Sequence, residues 1–422
     1  MARTTPAAVC RKGAVRFDQA VLETASAVVG QAWSEQQCEQ AAFGCADGGL
    51  GFYKVADTLP AAYVASRAMT HEHCTAIRPD HKWDSQVAGS ALACAYGSLS
   101  AVVDDPSVLD GERSRMTQKR LGKAIRDRKR RIWKESVSPA DRVRFNAYSA
   151  KGCGKLYELT PSLTLDTHLT ASDYAANVAV TLGVDVLDYG KLCRFCGKLL
   201  DAGGVHCMSC MYGGEQVLEH NGVRDLIYDY CQRGNLRPSR ETPDLLKNDV
   251  DPDCQERPAD VLVVPHFVLH RRLPDGNLAV RTERTCFDFA VVNALGQEHW
   301  SETVVRGGAA ADGYDTVKRR RRDTEERCAA EGLRYWPVVL DHQGGTAKGA
   351  DAAFRAIAKA VALNERREEH GVRNEILQRI AVVVARAVAQ RIRRRAQGFT
   401  GNRPPWAAAA AQIGATDFGE WQ

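Results

Sequence analysis

CRFCGKLLDAGGVHCMSC (Cys193–Cys210), EHNGVRDLIYDY (Glu219–Tyr230), RPADVLVVP (Arg257–Pro265) and CFDFAVV (Cys286–Val292) decide the fold of this chain. The first has the spacing of a metal knuckle. Cys193 and Cys196, separated by two residues, present both thiolates to one ion. His206 and Cys210 complete a tetrahedron from the start of a short helix, with Cys207 left over as a further thiol. Gly197 relieves the backbone after the second thiolate, and Gly203-Gly204 allow the return turn. Closed Cys/His sites of this kind hold zinc structurally, so no catalytic role for that metal follows. Chance cysteine pairs are the alternative in a chain with 14 cysteines.

The second stretch is an amphipathic helix, with Leu218, Val223, Leu226, Ile227 and Tyr230 on one face. LRPSRE then reads as a first short strand. The third and fourth stretches are apolar strands that each carry one acid, Asp260 and Asp288. Two carboxylates converging from adjacent strands are costly unless they hold a cation, and magnesium there would polarise a phosphodiester and activate water. The plainer alternative is a surface aspartate at each strand end. Helix, strand, strand with Asp, strand with Asp, helix, strand is the core order of restriction-type nucleases.

Residues 1–110 read as helical and Ala-rich. In GCADGGLGFYKVADTLPAAYVASRA (Gly44–Ala68), Gly48, Gly49 and Gly51 form a tight turn ahead of a packed helix. Asp104-Asp105 could be the metal-binding turn of a polymerase palm, but Pro106 follows at once and no second acidic strand lies upstream, so it reads as a helix stop or turn. KRLGKAIRDRKRRIWK (Lys119–Lys134) is a basic helix with a thin stripe of Leu121, Ile125 and Ile132, suited to a phosphate backbone or to a solvated face. Ser138 and Thr170 both look like N-caps. Beyond the acidic strands, Asp312–Glu331 reads as one helix carrying KRRRR at Lys318–Arg322. RYWPVVL (Arg334–Leu340) is a buried strand ended by Asp341 and the Gly344-Gly345 turn. Residues 350–395 read as two helices, the second with a wide apolar face and a basic end.

The remaining bounds are compositional. At 422 residues the chain exceeds one typical domain, and 44% hydrophobic residues allow a sizeable core. The net charge is only +5, so the basic blocks matter more than the total. No charge-free apolar run is long enough to span a bilayer, which argues against a membrane partner. The N-terminus lacks an apolar secretory region, and the scattered cysteines read as reduced thiols. Both point to the nucleus or cytoplasm and away from secretion.

Taken in order, these motifs resemble the C-terminal region of non-LTR retrotransposon polyproteins. There a zinc knuckle precedes a restriction-like endonuclease domain. The resemblance rests on Cys-x2-Cys…His-x3-Cys, HN opening a helix, RPAD and the D-x-A-V-V strand. It extends to GGLGFYKVADTLPAAYVAS, SPADRVRF and EGLRYWPVVLDHQGG, from about Gly44 to Arg395. It implies an α+β fold: a helical N-terminal region, the knuckle, then a restriction-endonuclease-like αβββαβ core with C-terminal helices. The implied segments are 1–110 (the post-reverse-transcriptase-like helices), 111–190 (a basic helical linker), 191–212 (the knuckle), 213–396 (the endonuclease domain) and 397–422 (a loose tail). It also implies zinc on Cys193, Cys196, His206 and Cys210, and magnesium on Asp260 and Asp288, the acids of a PD-(D/E)xK-type site. Lys318 is taken as the third member, at the start of the helix after those strands. The expected activity is magnesium-dependent nicking of target DNA, with retroelement RNA as a second candidate partner.

The sequence departs from the family pattern in several respects: the family's helix lysines fall near Arg320 and Asp323, which makes Lys318 a compromise, and no polymerase palm precedes the GGLG segment. Phe-Ala follows Asp288 without the usual lysine, and LPDGN marks an extra hairpin between the acids. A catalytically inactive, zinc-containing nucleic-acid-binding remnant is therefore the second reading. A helical scaffold that binds protein through its basic faces is the third.

Overall fold

The computed structural model describes residues 3–109, 113–246, 258–264, 268–272, 278–282 and 284–396. The expected loose tail at 397–422 and the centre of the LPDGN hairpin lie outside the described residues. The chain forms two compact units, the first made mainly of residues up to Ser138 and the second mainly of Pro139 onward. The segment expected as a linker is divided between them. No helix among the described residues is long and apolar enough to cross a membrane.

The first unit is helical: α1 (Ala7–Val28), α2 (Glu35–Ala41), α3 (Val55–Ile77), α4 (Ala91–Ser100) and α5 (Gln118–Ser136). Ser34 caps α2 with a capping box, and Thr117 caps α5 by accepting the Arg120 amide. Gly48 and Gly51 take positive φ before α3, as the tight turn requires. Leu121, Ile125 and Trp133 are the buried apolar stripe of α5, whereas Ile132 is 45% exposed. The basic face is already partly paired: Lys129 with Asp57, Lys123 with Asp127, and Arg131 with Asp104 and Glu135.

The second unit is α+β. It continues with α6 (Pro139–Tyr148), α7 (Lys155–Glu158), α8 (Ala171–Leu182), α9 (Val205–Ser209) and α10 (Glu215–Arg233). The strands β1 (Pro238–Arg240), β2 (Val261–Val263), β3 (Val268–Arg272), β4 (Leu278–Thr282) and β5 (Arg284–Val292) follow. After them come α11 (Trp300–Thr303), α12 (Ala309–Arg320), α13 (Thr324–Ala330), β6 (Leu333–Asp341), α14 (Lys348–Glu365) and α15 (Glu369–Ala396). The four-stranded sheet has the order β1-β2-β5-β6, antiparallel except for the parallel β5–β6 pair, while β3 and β4 form a separate hairpin. A parallel pair needs a crossover, and α11–α13 supply it. Val261, Val263, Phe287, Phe289, Trp336 and Val338 belong to the main core with residues of α10, α14 and α15. Leu262, Cys286, Tyr335, Leu333 and Cys328 form a smaller cluster.

Three details differ from the sequence reading. Leu218 is 57% exposed, off the face that buries Val223, Leu226, Ile227 and Tyr230. The helix expected over Asp312–Glu331 is broken between α12 and α13, where Arg322 and Asp323 take φ of 52° and 53°. Lys318 therefore sits in the last turn of α12 rather than at a helix start. The basic end of α15 is in part buried, with Arg391 and Arg395 1% and 0% exposed.

Candidate metal centre and acidic site

The knuckle is built by a tight backbone turn. The Cys193 amide donates to the Lys198 carbonyl (2.7 Å), the Gly197 amide donates to the Cys193 carbonyl (2.8 Å), and Gly197 takes φ 71°. Asp201 accepts the Val205 and His206 amides at 2.7 and 2.6 Å, which starts α9 and aims His206. The ligand atoms of Cys193, Cys196, His206 and Cys210 all lie within 4.8 Å of one another. Tetrahedral zinc, with about 2.3 Å to sulfur and about 2.0 Å to nitrogen, requires S···S near ~3.8 Å and S···N near ~3.5 Å. The Cys193–Cys210 sulfurs are 3.9 Å apart, and Cys196 Sγ lies 3.3 Å from His206 Nε2. The cluster can thus hold a metal ion such as zinc. Burial opposes ionisation of Cys193, but the Phe195 and Cys196 amides and His206 outweigh it and hold the thiol down at about 6. Cys207 points into the core instead, where burial pushes its thiol up to about 12.

The two acids meet where β2 leaves β5. Asp260 stands immediately before β2. Its amide donates to the Phe287 carbonyl (2.9 Å), and its Oδ2 accepts the Phe289 amide (2.6 Å), so it straddles Asp288. His220 Nε2 of α10 lies 3.3 Å from Asp260 Oδ1. Lys318 Nζ reaches across from α12 to donate to Asp288 Oδ1 at 2.5 Å and to the Phe289 carbonyl at 3.0 Å. The Tyr335 hydroxyl of β6 donates to Asp288 Oδ2. Asp260, Asp288 and Lys318 are therefore in one place.

The two carboxyls titrate in opposite directions. Burial raises Asp288, the charge of Asp260 adds to it, and Lys318 and Tyr335 only partly oppose them. Burial also works against Asp260, but His220, the Phe289 amide and Lys318 outweigh it and hold that carboxyl below its usual range. The hydrogen bond to Asp260 raises His220 in turn. The charges and hydrogen bonds around the two carboxyls thus push them apart.

Sequence reasoning misses His220 and Tyr335. The HN pair marks His220 without giving it a role, and Tyr335 reads only as part of a buried strand. Arg319 does not join the acids in Lys318's manner; it pairs with Asp315 and Glu325. Against known proteins, no family model matches this chain, and no curated protein matches it.

Proposed function

We propose that the second unit is a restriction-like DNA endonuclease region of retrotransposon type that nicks DNA with magnesium and carries a structural zinc. The observation that supports this most is the meeting of Asp260, Asp288 and Lys318 at the two central strands, β2 and β5, of a mixed sheet with a parallel β5–β6 pair. An αβββαβ chain order with acids on the second and third strands is what such an enzyme needs. The donor set suits a hard cation. Each carboxylate oxygen keeps a lone pair beyond its one hydrogen bond, and oxygen ligands with waters are what magnesium takes. Asp260 and Asp288 would hold that ion, which would supply Lewis-acid polarisation of the scissile phosphate.

The chain's own residues do the rest. Lys318 carries a fixed positive charge to where charge develops on the phosphate. The Phe289 amide and His220 fix the rotamer of Asp260, and Tyr335 fixes that of Asp288. Half-buried, partly desolvated acids keep these interactions strong.

One observation favours the second reading, an inactive nucleic-acid-binding remnant. All four carboxylate oxygens already have protein donors, with Lys318 only 2.5 Å from Asp288. A nicking assay on supercoiled plasmid, with and without magnesium, separates the two. Relaxed circles that appear only with magnesium support the nuclease, and DNA binding without relaxation supports the remnant.

A further inference from the structure

The end of α15 carries a motif that the nuclease reading does not use. Glu215 and Glu219 lie one turn apart on α10, and Arg391 and Arg395 lie one turn apart on α15. In the first rung, Arg391 donates to Glu219 Oε2 at 2.6 Å and to the Met208 carbonyl at 3.4 Å. His342, which follows β6, spans the same two groups, with Nδ1 3.0 Å from Glu219 Oε1 and Nε2 3.1 Å from the Met208 carbonyl. In the second rung, Arg395 joins Glu215 (3.4 Å) to the Tyr212 carbonyl (3.0 Å). Arg394 joins Glu215 (2.9 Å) to the Gly213 carbonyl (2.7 Å) and lies over the Phe195 ring between the two cysteines of the knuckle.

The placement of the rungs is informative. Met208 and Tyr212 flank Cys210, so each rung ties α10 to one side of a metal-ligand residue. Burying this much charge is expensive, and apolar packing would hold two helices together at least as well. What the ionic contacts add is direction: a guanidinium fork fixes α10 and a backbone carbonyl beside Cys210 at once. Glu219 immediately precedes His220, so the first rung also sets where His220 stands against Asp260.

We infer that Glu219, His342 and Arg391 are positioning residues that couple metal occupancy of the Cys193/Cys196/His206/Cys210 cluster to the placement of α10. Holding the metal fixes Cys210, which holds the Met208 and Tyr212 carbonyls against the arginines and keeps both rungs closed. Loss of the metal frees those carbonyls and loosens α10. Only the last link, from α10 through His220 to cleavage, rests on the nuclease reading.

The test uses the full chain loaded with zinc. Hydrogen exchange is compared before and after a zinc chelator, with α5 as the internal reference. Exchange at least about tenfold faster across α10 and the last two turns of α15 is expected, and acceleration confined to residues 191–212 overturns the coupling. Arg391→Met alone would strand Glu219 and risk unfolding, so the variant is Glu219→Gln with Arg391→Met, which removes both charges together. It should keep its melting temperature within a few degrees and release zinc to the chelator about 10- to 100-fold faster, the usual range for loss of an outer-shell partner. An unchanged release rate overturns the clamp. If the parent nicks plasmid, the double variant should lose kcat with KM unchanged. If the parent nicks nothing, the nuclease reading fails while the exchange and zinc-release results still decide the coupling.

Discussion

Replacing Asp341 with asparagine should stabilise the protein at pH 8 and do little at pH 4. Asp341 closes β6 and is fully buried. Its Oδ1 accepts the Gln343 and Gly345 amides at 3.0 and 2.6 Å, while Oδ2 has no hydrogen-bond partner. His342, Tyr148 and Cys153 are the titratable groups that sense it. Burial pushes this carboxyl up to about 6 from 3.8, and the two amides and His342 only partly oppose the push. The folded state therefore binds the proton more tightly than the unfolded chain. Stability from this residue is lost as pH rises from about 4 through about 6 and then levels off. Linkage gives a cost of ~3 kcal/mol at pH 8 and under ~1 kcal/mol at pH 4. The asparagine side chain would keep both accepted bonds and carry no charge, but its unpaired N–H returns about 1 kcal/mol of the gain. A net stabilisation of ~2 kcal/mol at pH 8 is expected. Urea unfolding of parent and variant at pH 4, 6 and 8 measures it. A variant equally or less stable at pH 8, or one whose advantage does not shrink toward pH 4, would refute the reasoning.

Three further outcomes follow from the same geometry. Purified protein should hold about one zinc per chain, and Cys193→Ser should lose it and expose the remaining ligand thiols to alkylation; parent protein without zinc by elemental analysis would sink the knuckle. Duplex DNA should bind with an affinity that falls steeply with salt. Neutralising Lys119 and Arg120 should flatten the log–log slope by about 2, and no change would remove α5 from the interface. Lys318→Met should cut nicking by at least about a hundredfold and leave DNA affinity within about twofold, because the ammonium sits on Asp288 inside the acidic site. Equal losses in both would make Lys318 a DNA contact instead.

Much of the site is readable from local chemistry. Asp260 stands out at the mouth of an apolar strand, Asp288 inside one, and the knuckle because metal-ligand spacing is local. What the sequence hides is long-range. His220 and Tyr335 reach the acids from α10 and β6, and nothing in EHNGVRD or RYWPVVL says which side chain turns toward Asp260 or Asp288. The α12–α13 break falls on Arg322 and Asp323, residues without a glycine or proline signal, so the two helices read as one. The arginines ending α15 read as a basic end because their carboxylate partners, Glu215 and Glu219, lie far back in the chain on α10. A charge run is a solvated face only when no buried acid answers it.

Asp260→Ala decides whether Asp260 and Asp288 form a magnesium-dependent nicking site. Parent and variant are incubated with supercoiled plasmid and magnesium, and zinc content and DNA affinity are measured on the same preparations. The predicted result is relaxation by the parent, none by the variant, and zinc and DNA binding retained by both, since Asp260 contacts His220 and the Phe289 amide and no residue of the knuckle cluster. Equal relaxation by parent and variant, or none by either at saturating magnesium, would contradict it.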